Sequence, residues 1–263
     1  MTEAWVLMGL ITLFWVLRKT LNTHSPIHSG LIIEKPDVKS VSRFTLAQEL
    51  KEYFSYYQRL DKQDQKRFVT HVQKFIAAKE FIPRGYTHVS DHMKIMIAAS
   101  AIQLTFGFRH LNFSHFKRIL VYPDDYYSLI TRKYHQGEVN QAGIIVLSWQ
   151  NFKEGYQDEE DGKNLGLHEM AHALRLENAI GNEEFDFIEP SVLEAFEYYA
   201  QKEMRLIEEG KSIFRKYGAA NIHEFFAVSV EHFFERPQSI FKHNPQLYYA
   251  MVKMLKQDTL LLA

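Results

Sequence analysis

His168, Glu169 and His172 stand in the order His-Glu-x-x-His inside the segment NLGLHEMAHALRLEN, residues 164–178. On an α-helix, residues four apart differ by about 40° in direction, so both imidazoles project from one face, one turn apart. Two ring nitrogens so placed can converge on one Zn²⁺ at about 2.0–2.1 Å. Glu169 is rotated by about 100° from His168. It would stand beside the ion without ligating it, placed to take a proton from water activated there. Zinc lowers the pKa of such a water to about 7, which yields a nucleophile at neutral pH. With 13 His and 22 Glu in 263 residues, the pattern is expected by accident about 0.05 times. Leu165, Leu167, Met170, Ala171 and Leu174 give the segment a helical apolar period, as the chemistry requires. The competing reading is a partly buried amphipathic helix with two chance histidines.

A catalytic zinc takes three protein ligands and keeps one position open. The chain has no Cys, which excludes thiol ligands, thiol catalysis, iron–sulfur clusters and disulfide scaffolds, and leaves His, Asp or Glu as the third ligand. Arg175 and Asn178 stand where the longer pattern HExxHxxGxxH needs Gly and His, so that class is excluded. Two helical segments offer carboxylates. Residues 191–210 carry Glu194 and Glu197; residues 221–235 carry Glu224 and Glu231, seven apart on one face, with small Ala227 between them. Spacing does not choose among them. Glu231 suits a second role, holding a ligand histidine through its other ring nitrogen; its plain alternative is a solvent-facing helix carboxylate. His88 and His92 are also four apart, but Ser90 or Asp91 between them suits a helix N-cap, which breaks the shared face. His223 and His232 read as surface or packing residues, and the acidic run 157–161 as a solvated loop.

The elements that must position these residues follow from periodicity. Hydrophobic residues make up 46% and charged residues 24%, ordinary globular usage that excludes wholesale disorder. The net charge of −1 and the lack of long basic clusters argue against direct nucleic-acid binding. Helices are expected over 44–58, 62–79, 90–106, 164–178, 191–210, 221–235 and 245–257, and strands over 117–123, 131–139 and 143–149, with IPRGY at 82–86 as a break. That is an α+β domain, mostly helical with a small sheet, over residues 44–263. Strand 143–149 is either an edge that pairs with extended substrate or a strand buried within the sheet. Ahead of this domain, Ala4–Leu17 carries no charge and Arg18 and Lys19 follow it. The reversed order of charge and apolar run argues against a cleaved signal peptide. Residues 1–21 are expected to form a single short membrane anchor, with the cations after it predicting a cytoplasmic domain, and residues 22–43 a linker; the alternative is an amphipathic or buried helix of a soluble, cytoplasmic domain.

The combination of IPRGY and its following helix, the strands ILVYP and GIIVLSW, the motif NLGLHEMAHAL, and YGAANIHEFFAVSVEHFFERPQSIF with the NPQLY after it resembles the Mlc titration factor family of zinc peptidases. That family is itself similar to the catalytic domain of anthrax lethal factor. The resemblance runs from about Phe44 to Leu255. It implies a zincin-like fold, Zn²⁺ as cofactor and a gluzincin-type peptidase, aminopeptidase-like in mode. It places the third ligand on Glu224, which opens the second block, and an active-site tyrosine on Tyr217, whose phenol would stabilise a developing oxyanion. It also implies a transcriptional repressor of sugar uptake as a partner. The alternative function is therefore a regulatory zinc-binding protein that sequesters such a partner. Retention of Glu169 favours catalysis, because a pure binder has no need of the base. Two features depart from the family: Arg175 stands where many members carry Asp, and the apolar N-terminal segment has no counterpart in them.

Overall fold

The computed structural model describes residues 41–109, 113–128, 132–180 and 187–262. Helices α1 (Arg43–Tyr53), α2 (Ser55–Arg59) and α3 (Lys62–Ala78) lead into strand β1 (Glu80–Pro83) and helix α4 (Asp91–Thr105). Then come β2 (Arg118–Tyr122), β3 (Tyr126–Ser128), β4 (Lys133–His135), β5 (Gly137–Asn140) and β6 (Ile144–Ser148). Helices α5 (Trp149–Gly155), α6 (Leu165–Ile180) and α7 (Pro190–Glu208), a 3-10 turn at Lys216–Ala219, and helices α8 (Ile222–Glu235), α9 (Pro237–His243) and α10 (Pro245–Leu255) complete the order, with a last 3-10 turn at Thr259–Leu262.

Local chemistry sets the helix starts. The side chains of Ser42, Asp61 and Ser90 accept from the N–H groups of Thr45, Asp64 and Met93, satisfying donors that α1, α3 and α4 leave free in their first turns. On α3, Phe68, Val69, Val72 and Phe75 form one buried stripe. Helix α4 is buried on every side from Ile95 to Thr105, which is why its sequence lacks a polar face.

The main sheet has the order β1-β2-β6-β5. β1, β2 and β6 are parallel; β5 returns antiparallel to β6, with Gly137 opposite Leu147 and Asn140 opposite Ile144. β3 and β4 form a separate antiparallel pair. Ile119, Val121, Ile145 and Leu147 are fully buried. Helix α6 packs against β5, β6, α4 and α8, so the motif helix is held between the sheet and the C-terminal helices. The chain is thus mostly helical with a small mixed sheet, as the α+β expectation has it. Strand 143–149 lies inside the sheet; the edge beside α6 is β5. The segment expected as a break supplies β1, and its Pro83 is tolerated because β1 is itself an edge.

The expected localisation is corrected. Among the described residues no helix is long and apolar enough to cross a membrane. The expectation of an anchor rested on residues 1–21, which lie outside the described residues, as does most of the linker over 22–43. Within the described part, Val41 packs against the core and Ser42 caps α1.

Candidate metal centre

Asn164 starts the motif helix. Its side-chain oxygen accepts from Leu167 N at 3.0 Å and its carbonyl from His168 N at 2.9 Å. One turn of α6 then sets the His168 and His172 rings edge to face, 4.7 Å between centroids, with their Nε2 atoms 3.1 Å apart. Asn221 does the same for α8, accepting from the N–H groups of His223 and Glu224 at 2.9 and 3.0 Å. That cap places Glu224 in the first turn, and small, fully buried Ala227 and Ala171 suit close approach of the two helices. Glu224 Oε2 lies 3.2 Å from His168 Nε2 and 3.4 Å from His172 Nε2. It is buried and has no hydrogen-bond partner of its own. Two imidazole nitrogens and a stranded carboxylate oxygen that face one point are the donor set a divalent ion needs.

Seven residues along α8, Glu231 is 1% exposed. It accepts from His168 Nδ1 at 2.7 Å, from both guanidinium arms of Arg215 at 2.7 and 2.8 Å, and from Asn164 N at 2.8 Å. Arg215 also donates to the Gly162 carbonyl at 2.7 Å. The carboxylate therefore calls for the proton of His168 on Nδ1, which aims the Nε2 lone pair at Glu224. Burial alone would raise the Glu231 pKa, but His168 and Arg215 outweigh it and hold the group below the usual carboxylate range. At Glu224 burial again raises the pKa, and the two histidines more than reverse it. For His168 burial acts to lower the pKa, whereas the carboxylates of Glu224 and Glu231 beside it raise it to about 10.

Glu169 is 5% exposed, and burial pushes its carboxyl up to about 7. Its side chain lies against Gly137 at the start of β5. Tyr217 is half exposed, its ring 6.0 Å from that of His168; burial and then the charge of Glu224 raise its phenol to about 12. Two cavities of about 680 and 700 Å³ share His135, Gly137, His168, Glu169 and Tyr217 in their walls. One runs toward Asn151 and Lys163, the other along β5 toward Arg175 and His223.

The structure thus brings together His168, His172 and Glu224, with Glu169 and Tyr217 beside them. Glu194 is exposed and Glu197 pairs with Arg175 at 2.9 Å, so neither joins the cluster. His92 pairs with Glu49 at 2.7 Å, and His88 is exposed. His223 lines the second cavity; His232 is buried against Phe214. Glu231 faces the interior, not solvent. Three contributors were missed by reading the sequence: Arg215, Asn164 and Gly137. Asn164 just ahead of the motif is an N-cap signal, and a lone Gly in a strand pattern marks close backbone approach. Arg215 has no local signal.

Comparison with known proteins points to a metallo-peptidase family. The profile of the family described as glucose-regulated metallo-peptidase M90 matches residues 38–256. The chain is 27% identical over 221 residues to Mlc titration factor A of Escherichia coli O17:K52:H18, which covers 76% of this chain and 82% of that one. It is 28% identical over 217 residues to the uncharacterized protein slr2042 of Synechocystis sp., covering 75% of this chain and 78% of that one. The resemblance to the Mlc titration factor family is borne out.

Proposed function

The chain belongs to the glucose-regulated metallo-peptidase M90 family, and on that premise we propose that it is a zinc-dependent peptidase of the gluzincin type, its zincin-like domain spanning residues 44–263. The observation that carries this reading is the buried, partnerless Glu224 Oε2 beside the Nε2 atoms of His168 and His172. Zinc held by these three residues would supply Lewis acidity toward water and the scissile carbonyl. Glu231, accepting from His168 Nδ1, keeps one ligand ring in orientation. Glu169 takes the proton of the attacking water on its carboxylate and delivers it to the departing amine nitrogen. The Tyr217 phenol donates a hydrogen bond to the oxyanion as it develops. The free edge of β5 offers backbone groups to an extended peptide.

The test is metal content together with hydrolysis of aminoacyl and peptide reporters, before and after chelation. Zinc near one equivalent is expected, with activity lost on chelation and restored by zinc; hydrolysis that survives chelation overturns the reading. Glu169→Ala is expected to keep the metal and lose hydrolysis by several orders of magnitude. Reporters with free and with blocked amino termini separate aminopeptidase-like trimming from cleavage within a chain. A second reading comes from the name of the Escherichia coli relatives, Mlc titration factor A, which points to capture of a transcriptional regulator. If Glu169→Ala retains both regulator binding and cellular phenotype, sequestration is the primary role.

A further inference from the structure

We infer that Gly137 is a positioning residue for Glu169: the edge strand passes so close to the carboxylate that only a residue without a side chain leaves room for it. This rests on the reading of Glu169 as the base. Gly137 does not have the positive φ that would by itself call for glycine, so its conformation is open to any residue. The constraint is space. A methyl group on Gly137 would overlap Glu169 Oε1 and come within 2.5 Å of Cδ and 2.6 Å of Cγ. All three nearest atoms belong to that one side chain.

Of the two partners the strand is the more firmly held. Glu169 is 5% exposed, between buried His168 and Met170 on a helix packed against β5 and β6. The strand is pinned on the other side. Ser148 N donates to the Gln136 carbonyl at 2.7 Å, and the Tyr126 phenol donates to Glu138 Oε2 at 3.0 Å, on either side of Gly137. The conflict of a Gly137→Ala change would therefore fall on the Glu169 carboxylate. A displacement of about 1 Å at a reacting group can cost about 100-fold in rate.

The experiment is a double-mutant cycle in thermal stability, run on the full chain with Gly137→Ala, Glu169→Ala and the pair, with metal content and hydrolysis measured alongside. Gly137→Ala alone is expected to lower Tm by roughly 2–12 °C, the range for overpacking in a chain of this size. It should also cut kcat about 10–100-fold at unchanged metal content. In the Glu169→Ala background the same change should cost almost nothing, because the atoms it meets are gone. If Gly137→Ala fails to fold, recovery of folding in the pair supports the inference and failure of the pair overturns it. An equal loss of Tm in both backgrounds, or no loss in either, also overturns it. The cycle is readable without any hydrolysis, so an inactive wild-type chain would refute the peptidase reading and leave this steric assignment to stand or fall alone.

Discussion

At the scale of single residues, the candidate site is held by a short chain of contacts: Arg215 and His168 Nδ1 both donate to Glu231, and His168 Nε2 faces Glu224. A buried carboxylate that loses its guanidinium is left to compete for protons with the histidine it should orient. Arg215→Met is expected to weaken zinc binding about 10–100-fold, as loss of such supporting groups commonly does; competition against a chromogenic chelator measures it, and an unchanged affinity would count against this chain of contacts. One turn further along α8, Glu235 has one oxygen accepting from Asn164 Nδ2 at 3.1 Å and the other buried without a partner. Burial pushes its pKa from 4.5 up to about 8. The folded chain then keeps a proton that the unfolded chain releases, so stability falls as pH rises from about 4.5 through about 8. Glu235→Gln should remove that decline and be more stable than wild type at pH 8.5 by on the order of 1–2 kcal/mol. Unfolding curves at pH 5 and pH 8.5 for both proteins decide the matter.

At the scale of elements, β5 links the sheet to the chemistry. Because Gln136 pairs with Ser148 by hydrogen bond and antiparallel pairing alternates, the backbone groups of Gly137 and Val139 fall on the free edge. Val139→Pro would delete one outward donor without breaking the ladder to β6. The expected result is a KM for extended peptides raised about tenfold, metal content at wild-type level and a small change in Tm; an unchanged KM would mean that substrate does not pair with this edge. Periodicity made the long helices and the strand Ile144–Ser148 legible, since their apolar residues repeat at the helix or strand spacing. It missed β1, whose four residues EFIP end in proline and acquire strand character only from pairing with Arg118–Val121. It also missed α5 and α9, at seven residues each too short for a period to register. Residues 131–139, expected as one strand, divide into β4 and β5 because their partners lie in different sheets.

At the scale of the whole molecule, the C-terminal helices are tied together by a carboxylate far from the chemistry. Glu203 is fully buried on α7 and accepts from Ser212 Oγ at 2.6 Å, His243 Nε2 at 2.7 Å and Asn244 Nδ2 at 3.0 Å. It thereby joins α7 to the segment before the 3-10 turn and to the junction of α9 and α10. Removing one partner of such a buried set strands the others, at about 3–5 kcal/mol. Glu203→Ala should lower stability by that amount, while the fraction that remains folded binds metal with wild-type stoichiometry. A loss of stoichiometry in the folded fraction would show that this clamp and the metal centre are not separate.

What the sequence determined by itself is what depends on neighbours along the chain. Helix geometry alone puts His168 and His172 on one face, and the absence of Cys restricts the donors to histidine and carboxylate. Tertiary packing decided the rest. Spacing left Glu194, Glu197, Glu224 and Glu231 equally eligible, and only the resemblance to a family preferred Glu224; the packing of α8 on α6 sets Glu224 beside the imidazoles and buries Glu231 behind one of them. It also decided that β5, not the strand 143–149, forms the edge, and that Arg215 reaches Glu231. These are contacts between segments tens of residues apart, and no local period encodes the distance between two surfaces that meet only when the core closes.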